Sequence, residues 1–289
     1  MRSILPASHA RVDDRREWTM SEPVREDGRF QAILLPGGVM PAKLAYADLV
    51  RALGPEVDAR SKELELYAGS EPPAGWGLQT EVEGIRRFAD EAGFERFHLV
   101  GYSGRGACAL AFCATHPDRL LSLALNEPAW AGNEDRAEEE RAYWRRMDEI
   151  MSLPSEEMMA AFFASDEPAA SQPPAPPPGP PPPWMASRPA GLKAMHAAFK
   201  SYRLDMERLH RFDRPVLFTL GGRSDPVEVR AEGRPDLLAR VFPDFSMDTF
   251  ERRHHFDPPH RGEPERYAES LRKLWDRAGG DPETRGSPR

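Results

Sequence analysis

Short apolar runs alternate with amphipathic helical patterns along most of this 289-residue chain. Each run is four to six residues long and is followed by turn residues, which is typical of a buried strand. Apolar helical stripes at residues 45–53, 82–92 and 107–115 separate the runs. The alternation predicts an α/β fold with a mostly parallel central sheet and helices on both faces. The predicted strands are residues 32–35, 64–67, 97–100, 120–125, 215–220 and 247–250.

The alternation stops after residue 130 and resumes near residue 191. Residues 131–190 begin as a charged helical segment and then contain PPAPPPGPPPP at 173–183, which favours an extended strap over a helix or strand. We therefore expect a core of residues 29–130 and 191–276, with 131–190 inserted as a cap or lid at the edge where α/β sheets bind ligands. The polar segments 1–28 and 277–289 are predicted to be a disordered extension and a disordered tail.

The composition excludes several classes of partner. The net charge of −8 and the pI of about 5.6 argue against nucleic acid or an anionic membrane. The sequence contains no apolar run long enough to cross a bilayer. Cys108 and Cys113 form no disulfide framework. We expect a cytoplasmic protein, monomeric or homodimeric, that acts on a small molecule.

A glycine-rich bend, Gly101-Tyr102-Ser103-Gly104-Arg105-Gly106, stands between a predicted strand and a predicted buried helix. This is the context that the nucleophile motif G-x-S-x-G requires, because a sharp turn there exposes the serine at the start of the helix. Backbone N–H groups at that helix end favour a developing negative charge. The alternative is a serine in an ordinary glycine-rich turn.

Two further polar positions follow predicted strands. Asp225 comes after the strand at 215–220, and His255 comes after the strand at 247–250. Taken alone, Asp225 is more readily interpreted as a turn residue before a proline, and Glu127 at the end of the preceding strand is the alternative acid. His254 and His260 are rivals for His255, and a metal site built from the three histidines lacks a completing carboxylate or cysteine. We expect neither a metal nor a cofactor.

These motifs together resemble the α/β-hydrolase superfamily over residues 32–275, most closely in FHLVGYSGRGACALAFCATHPDRLLSLALN at 97–126. The resemblance implies the α/β-hydrolase fold and a triad in which Ser103 is the nucleophile, His255 the base and Asp225 the acid. It also implies an oxyanion hole formed by the N–H of Gly38 or Val39 together with that of Gly104. A tight turn alone would also explain the glycines at 37 and 38.

The nature of the nucleophile narrows the expected chemistry. An aspartate at position 103 would suggest a dehalogenase or epoxide hydrolase, whereas serine suggests cleavage of an ester, thioester, peptide or carbon–carbon bond. We expect an esterase or thioesterase with an acyl-enzyme on Ser103. The alternatives are a non-hydrolytic lyase or cyclase of the same fold and a ligand-binding protein.

Arg105 departs from the family pattern, which has a small residue there. A large side chain at this position either strains the elbow or binds an acidic substrate or Glu127. If Arg105 strains the elbow, Ser103 is mispositioned, and the protein would bind a ligand without catalysis. Tyr102 and Trp184 are the other predicted substrate contacts.

Overall fold

A six-stranded parallel sheet forms the centre of the protein. The computed structural model describes residues 30–165 and 180–279. The strands are β1 (Phe30–Leu35), β2 (Val57–Ser61), β3 (Phe97–Tyr102), β4 (Leu120–Asn126), β5 (Val216–Gly221) and β6 (Phe245–Phe250). They lie in the order β2-β1-β3-β4-β5-β6, and every neighbouring pair is parallel. The predicted mostly parallel sheet is confirmed.

Helices cover both faces of this sheet, as predicted. The helices are α1 (Ala42–Ala45), α2 (Ala47–Leu53), α3 (Leu78–Glu91), α4 (Gly104–Thr115), α5 (Glu138–Ser152), α6 (Ser155–Ala164), α7 (Arg188–Ser201), α8 (Met206–His210), α9 (Pro226–Glu232), α10 (Pro235–Val241), α11 (Pro259–Gly262) and α12 (Pro264–Gly279). Neighbouring residues of a strand point to opposite faces, so Ile33 joins the apolar cluster under α3 and α4, whereas Leu34 joins the cluster under α2 and α12.

The strand predicted at residues 64–67 is wrong. Residues Glu65–Tyr67 form a 3-10 turn, and the strand lies earlier, as the polar edge strand β2. The buried carboxylate of Glu81 accepts hydrogen bonds from the N–H groups of Glu65 and Leu66 at 3.2 and 2.9 Å. These two amides are therefore engaged by a side chain rather than by a neighbouring strand.

Four helices, α5, α6, α7 and α8, lie between β4 and β5 in the described residues, and the first three form a group of their own. These three pack on one another around Tyr143, Met147, Met158 and Leu192. The boundary predicted at residue 190 falls inside α7, and α12 continues past the predicted start of the tail at 277. The extension 1–28 and most of the proline-rich strap lie outside the described residues.

No helix in the described segments has the length and apolar character to span a membrane.

Candidate active site

Ser103 occupies the sharp turn between β3 and α4. Its φ of 52° and ψ of −128° place it in a backbone region that non-glycine residues rarely adopt. The turn is tight because the strand and the helix nearly touch. A side chain on Gly101 would lie 2.8 Å from both the Arg105 carbonyl oxygen and the Ala109 Cβ. The local sequence therefore folds into the strained bend expected of a nucleophile elbow.

The imidazole of His255 faces this serine. Its Nε2 lies 2.9 Å from Ser103 Oγ, and both residues are buried. The Tyr102 hydroxyl donates a short hydrogen bond to the His255 carbonyl oxygen, so the strand that presents the serine also holds the histidine loop. The structure thus brings together two of the three predicted triad residues.

The carboxylate beside the other ring nitrogen belongs to Glu127. Its Oε2 lies 3.5 Å from His255 Nδ1, and the residue is 4% exposed. Glu127 directly follows β4 and has a φ of 38°. Its Oε1 accepts hydrogen bonds from the Gly221 N–H at 2.9 Å and from the Ser224 hydroxyl at 2.6 Å. These donors fix the orientation of the carboxylate toward the imidazole.

The prediction that Asp225 is the triad acid is corrected by this geometry. Asp225 is exposed, and its Oδ1 accepts hydrogen bonds from the N–H groups of Val227 and Glu228 at 2.7 and 3.3 Å. It therefore caps the first turn of α9 instead of orienting the histidine. One sequence signal could have identified Glu127. It follows the strand predicted directly after the nucleophile, and such consecutive strands usually lie side by side.

The two alternative histidines, His254 and His260, lie in surroundings different from those of His255. His260 is buried, with its Nδ1 3.4 Å from Asn126 Nδ2, and burial lowers its pKa to about 3. A histidine with that pKa is neutral at physiological pH. His254 forms an antiparallel backbone bridge with Asp257. Within residues 30–165 and 180–279, no group of three or more His, Cys, Asp or Glu side chains is arranged to hold a metal ion.

The two predicted oxyanion donors lie next to each other. A Cβ on Gly104 would stand 3.9 Å from the Gly38 nitrogen, and both glycines line the cavity above Ser103. Gly104 is the first residue of α4, where N–H groups lack an intrahelical acceptor. The same Cβ would lie 2.2 Å from the sulfur of Met195, so a larger residue at 104 would require this flexible side chain to move.

An apolar cavity of about 240 Å³ opens above Ser103. The core contributes its floor, and α5, α6 and α7 contribute much of its wall. Tyr102 and Trp184, two of the predicted substrate contacts, line it. Its apolar lining is dominated by methionine and aromatic side chains: Met40, Met147, Met151, Met185, Met195, Trp144, Trp184, Phe162, Phe163, Phe199 and Phe256.

Solved structures with a similar fold identify this architecture. A bacterial membrane phospholipase A aligns with a TM-score of 0.63, at 20% identity over 88% of this chain and 81% of that chain. A meta-cleavage product hydrolase from Pseudomonas fluorescens IP01 aligns with a TM-score of 0.59, at 15% identity over 87% and 92%. A carboxylesterase from Bacillus subtilis aligns with a TM-score of 0.57, at 14% identity over 88% and 85%. This chain has the α/β-hydrolase fold.

Curated relatives match this chain over shorter stretches. A 2-hydroxy-6-oxo-6-phenylhexa-2,4-dienoate hydrolase from Comamonas testosteroni is 29% identical over 113 residues, which are 37% of this chain and 40% of the relative. A fluoroacetate dehalogenase from a Burkholderia species is 31% identical over 104 residues, or 34% of each chain. The chain thus aligns with well under half of either relative. No family model matches it.

Arg105 does not take the place predicted for it in this α/β-hydrolase elbow. Its side chain is 1% exposed, and its guanidinium donates a short hydrogen bond to the Lys62 carbonyl oxygen. Its Nη2 lies 3.8 Å from Glu63 Oε1, and the described cavity lining does not include it. The predicted contact of Arg105 with a substrate or with Glu127 is therefore wrong.

Gly106 meets the demand for a small residue that the sequence pattern assigned to position 105. A side chain on Gly106 would lie 2.7 Å from Pro128 Cβ and 3.4 Å from the Gly101 carbonyl oxygen. The crowded face of the first helical turn thus falls one residue later than predicted. A large residue fits at 105 because its side chain leaves the turn toward the loop after β2.

Proposed function

We propose that this chain is a serine hydrolase that cleaves an ester or thioester through an acyl-enzyme on Ser103. One observation carries the proposal. Ser103 lies on the floor of an apolar cavity, and its Oγ is 2.9 Å from His255 Nε2, while Glu127 lies at the opposite ring nitrogen. Nucleophilic acyl transfer requires a hydroxyl, a base beside it and a carboxylate that orients the base, in this spatial order.

The reaction follows from the positions of these atoms. His255 Nε2 takes the Ser103 proton as Oγ attacks the substrate carbonyl carbon. The Gly38 and Gly104 N–H groups stabilise the oxyanion, and the new imidazolium is stabilised by Glu127. His255 then gives the proton to the leaving oxygen or sulfur as that bond breaks. A water activated by His255 adds to the acyl-enzyme, releases the carboxylic acid and restores Ser103.

The cavity favours an apolar acyl group. Burying a hydrocarbon chain there releases water from apolar surface, which contributes a favourable free energy of about 25 cal/mol per Å² buried. Methionine side chains adapt their shape to different ligands, so we expect tolerance of several chain lengths and of aromatic rings. The likeness of the fold to a phospholipase and a carboxylesterase is consistent with ester cleavage.

Hydrolysis of a carbon–carbon bond is the second candidate. It is favoured by the match to a 2-hydroxy-6-oxo-6-phenylhexa-2,4-dienoate hydrolase. Dehalogenation is not favoured, although a fluoroacetate dehalogenase also matches. Attack by Ser103 on a carbon–halogen centre would leave a serine ether, which water does not readily cleave.

The test combines covalent labelling with turnover. The wild-type protein is incubated with a fluorophosphonate probe and digested, and the modified peptide is located by mass spectrometry. We expect one label on Ser103, none in Ser103→Ala, and hydrolysis of 4-nitrophenyl butyrate and octanoate. A wild-type protein without label or turnover contradicts the proposal. If the protein cleaves 2-hydroxy-6-oxo-6-phenylhexa-2,4-dienoate but hydrolyses neither ester, the result favours the second candidate.

A further inference from the structure

The loop that carries Gly38 has little rigidity of its own. It contains consecutive glycines in Pro36-Gly37-Gly38-Val39, and glycine has the widest range of backbone conformations. An oxyanion hole accelerates a reaction only when its donors are already oriented before charge develops. The restraint on this loop must therefore come from outside it.

One restraint is the hydroxyl of Tyr67. It donates a hydrogen bond to the Gly38 carbonyl oxygen at 2.5 Å. Tyr67 ends the 3-10 turn after β2, far from the loop in sequence. Burial raises the pKa of this phenol, so the hydroxyl keeps its proton at neutral pH.

The second restraint is the guanidinium of Arg188, the first residue of α7. Its Nε donates to the Val39 carbonyl oxygen at 2.5 Å, and the side chain is almost completely buried. The guanidinium carbon stands 3.7 Å from the centre of the Tyr67 ring, a favourable cation–π distance. The two donors therefore support each other as they hold successive carbonyl groups of one loop.

We infer that Tyr67 and Arg188 are positioning residues that hold the Gly38 N–H beside the Gly104 N–H for the oxyanion. Fixing the carbonyls of Gly38 and Val39 fixes the two peptide planes after Gly38, because each peptide unit is planar. It thereby restrains the Gly38 Cα that carries the donor nitrogen, and rotation about the N–Cα bond is the freedom left between them. Arg188 belongs to the helices between β4 and β5, so the donor geometry depends on how these helices sit on the core. The inference rests on the proposed hydrolase function.

The experiment uses two variants with a matched control for each. Tyr67→Phe removes one hydroxyl, and Tyr46→Phe removes another, which donates to the Leu35 carbonyl oxygen at 2.8 Å. Arg188→Met removes one guanidinium. Arg136→Met removes another, which donates to the Ala231 carbonyl oxygen at 2.8 Å and packs on Trp144. Steady-state turnover of 4-nitrophenyl butyrate and the inactivation rate with a fluorophosphonate are measured for all four.

We expect kcat to fall roughly tenfold in Tyr67→Phe and in Arg188→Met, with KM changed by less than about twofold, because only the transition state carries the oxyanion. The inactivation rate should fall by the same factor as kcat. The control variants should keep wild-type kcat and inactivation rate. Thermal unfolding followed by circular dichroism identifies a variant that fails to fold. If Arg188→Met fails, Tyr67→Phe decides.

Three results would overturn the inference. The first is equal kcat in Tyr67→Phe and Tyr46→Phe. The second is a rise in KM without a fall in kcat, which would assign these side chains to substrate binding. The third is a loss of turnover without a matching loss in inactivation rate. A wild-type protein that is neither labelled nor active overturns the proposed function itself, and this result is distinct from the other three.

Discussion

The ends of β4 and β5 lie side by side in the sheet, and each is closely followed by a carboxylate. Glu127, after β4, is buried, has a positive φ and accepts two hydrogen bonds through one oxygen while the other faces His255. Asp225, after β5, is exposed and bonds to the first amides of its own helix. Two carboxylates at equivalent topological positions thus have different roles: one faces the histidine and the other caps a helix.

The difference lies in what reaches each carboxylate. The β5 end supplies the Gly221 amide and the Ser224 hydroxyl to Glu127, so the second strand orients the acid carried by the first. Pro226 begins a helix directly after Asp225, and the free amides of that helix engage the aspartate. A strand end therefore locates a candidate acid, and the neighbouring donors decide whether it faces the histidine.

The largest expected effect separates these two carboxylates. Glu127→Gln should lower kcat by about 10⁴-fold, because the imidazole loses its orienting charge and its correct tautomer. Asp225→Asn, its matched control, should keep kcat within about twofold of the wild type, because it does not touch the histidine. Ester hydrolysis by the two variants at one pH is the measurement. A large loss in Asp225→Asn with an active Glu127→Gln would reverse our assignment.

A second prediction concerns His260, which lies against the last residue of β4. Because its folded pKa is about 3, the unfolded chain alone binds this proton as the pH falls below about 6.5. Its contribution to stability is complete above pH 6.5 and declines as the pH falls, by about 2 kcal/mol between pH 7 and 5. His260→Gln should lose that much less stability than the wild type over this interval in urea unfolding. Equal losses in both proteins would contradict the assignment of a neutral His260.

Ser224→Ala should have a smaller effect on turnover. It removes the hydroxyl that bonds to Glu127 at 2.6 Å and leaves the Gly221 amide in place. A hydrogen bond to a charged group contributes about 1.5–3 kcal/mol, so kcat should fall roughly tenfold. Ser246→Ala on β6 is the control. It loses a hydrogen bond to the carbonyl oxygen of Val216 on β5 and should keep wild-type kcat. Unchanged turnover in Ser224→Ala would mean that the Ser224 hydroxyl does not orient the acid.

The smallest expected effect is on stability alone. Asp225→Ala should lower the free energy of unfolding by about 1 kcal/mol, because it removes the cap of α9. Asp205→Ala is the matched control, because Asp205 caps α8 by accepting from the Arg208 N–H at 3.0 Å. Both variants should keep wild-type kcat. Destabilisation of Asp205→Ala alone would show that the Asp225 cap is not formed.

How far the sequence predicted this site depended on the range of the contacts involved. The elbow is a local turn, so a short motif identified Ser103 and the crowded Gly101. The pairing of Ser103 with His255 joins distant segments, but both residues follow strands at the same edge of the sheet. A position after a strand does not by itself choose the acid, because Glu127 and Asp225 both satisfy that condition.

The direction of individual side chains could not be predicted from the sequence either. The spacing of the motif placed Arg105 in the crowded position, whereas the backbone turns that side chain toward Lys62 and presents Gly106 to Pro128. At residues 64–67 the apolar alternation predicted a strand, but the Glu81 carboxylate engages the amides that a strand would need. In both places the decisive partner lies far away in the chain.

Ser103 and Glu127 are two of the four non-glycine residues with a positive φ in the parts of the chain that the structure describes. Each such residue raises the energy of the folded state by about 1–3 kcal/mol, and glycine would relieve most of it. A screen for thermal stability alone would therefore enrich glycine at position 103 and return a more stable protein that lacks the proposed nucleophile, whereas glycine at 127 would also lose two buried hydrogen bonds. Stabilising this chain for practical use requires that these two codons be held fixed while the rest is varied.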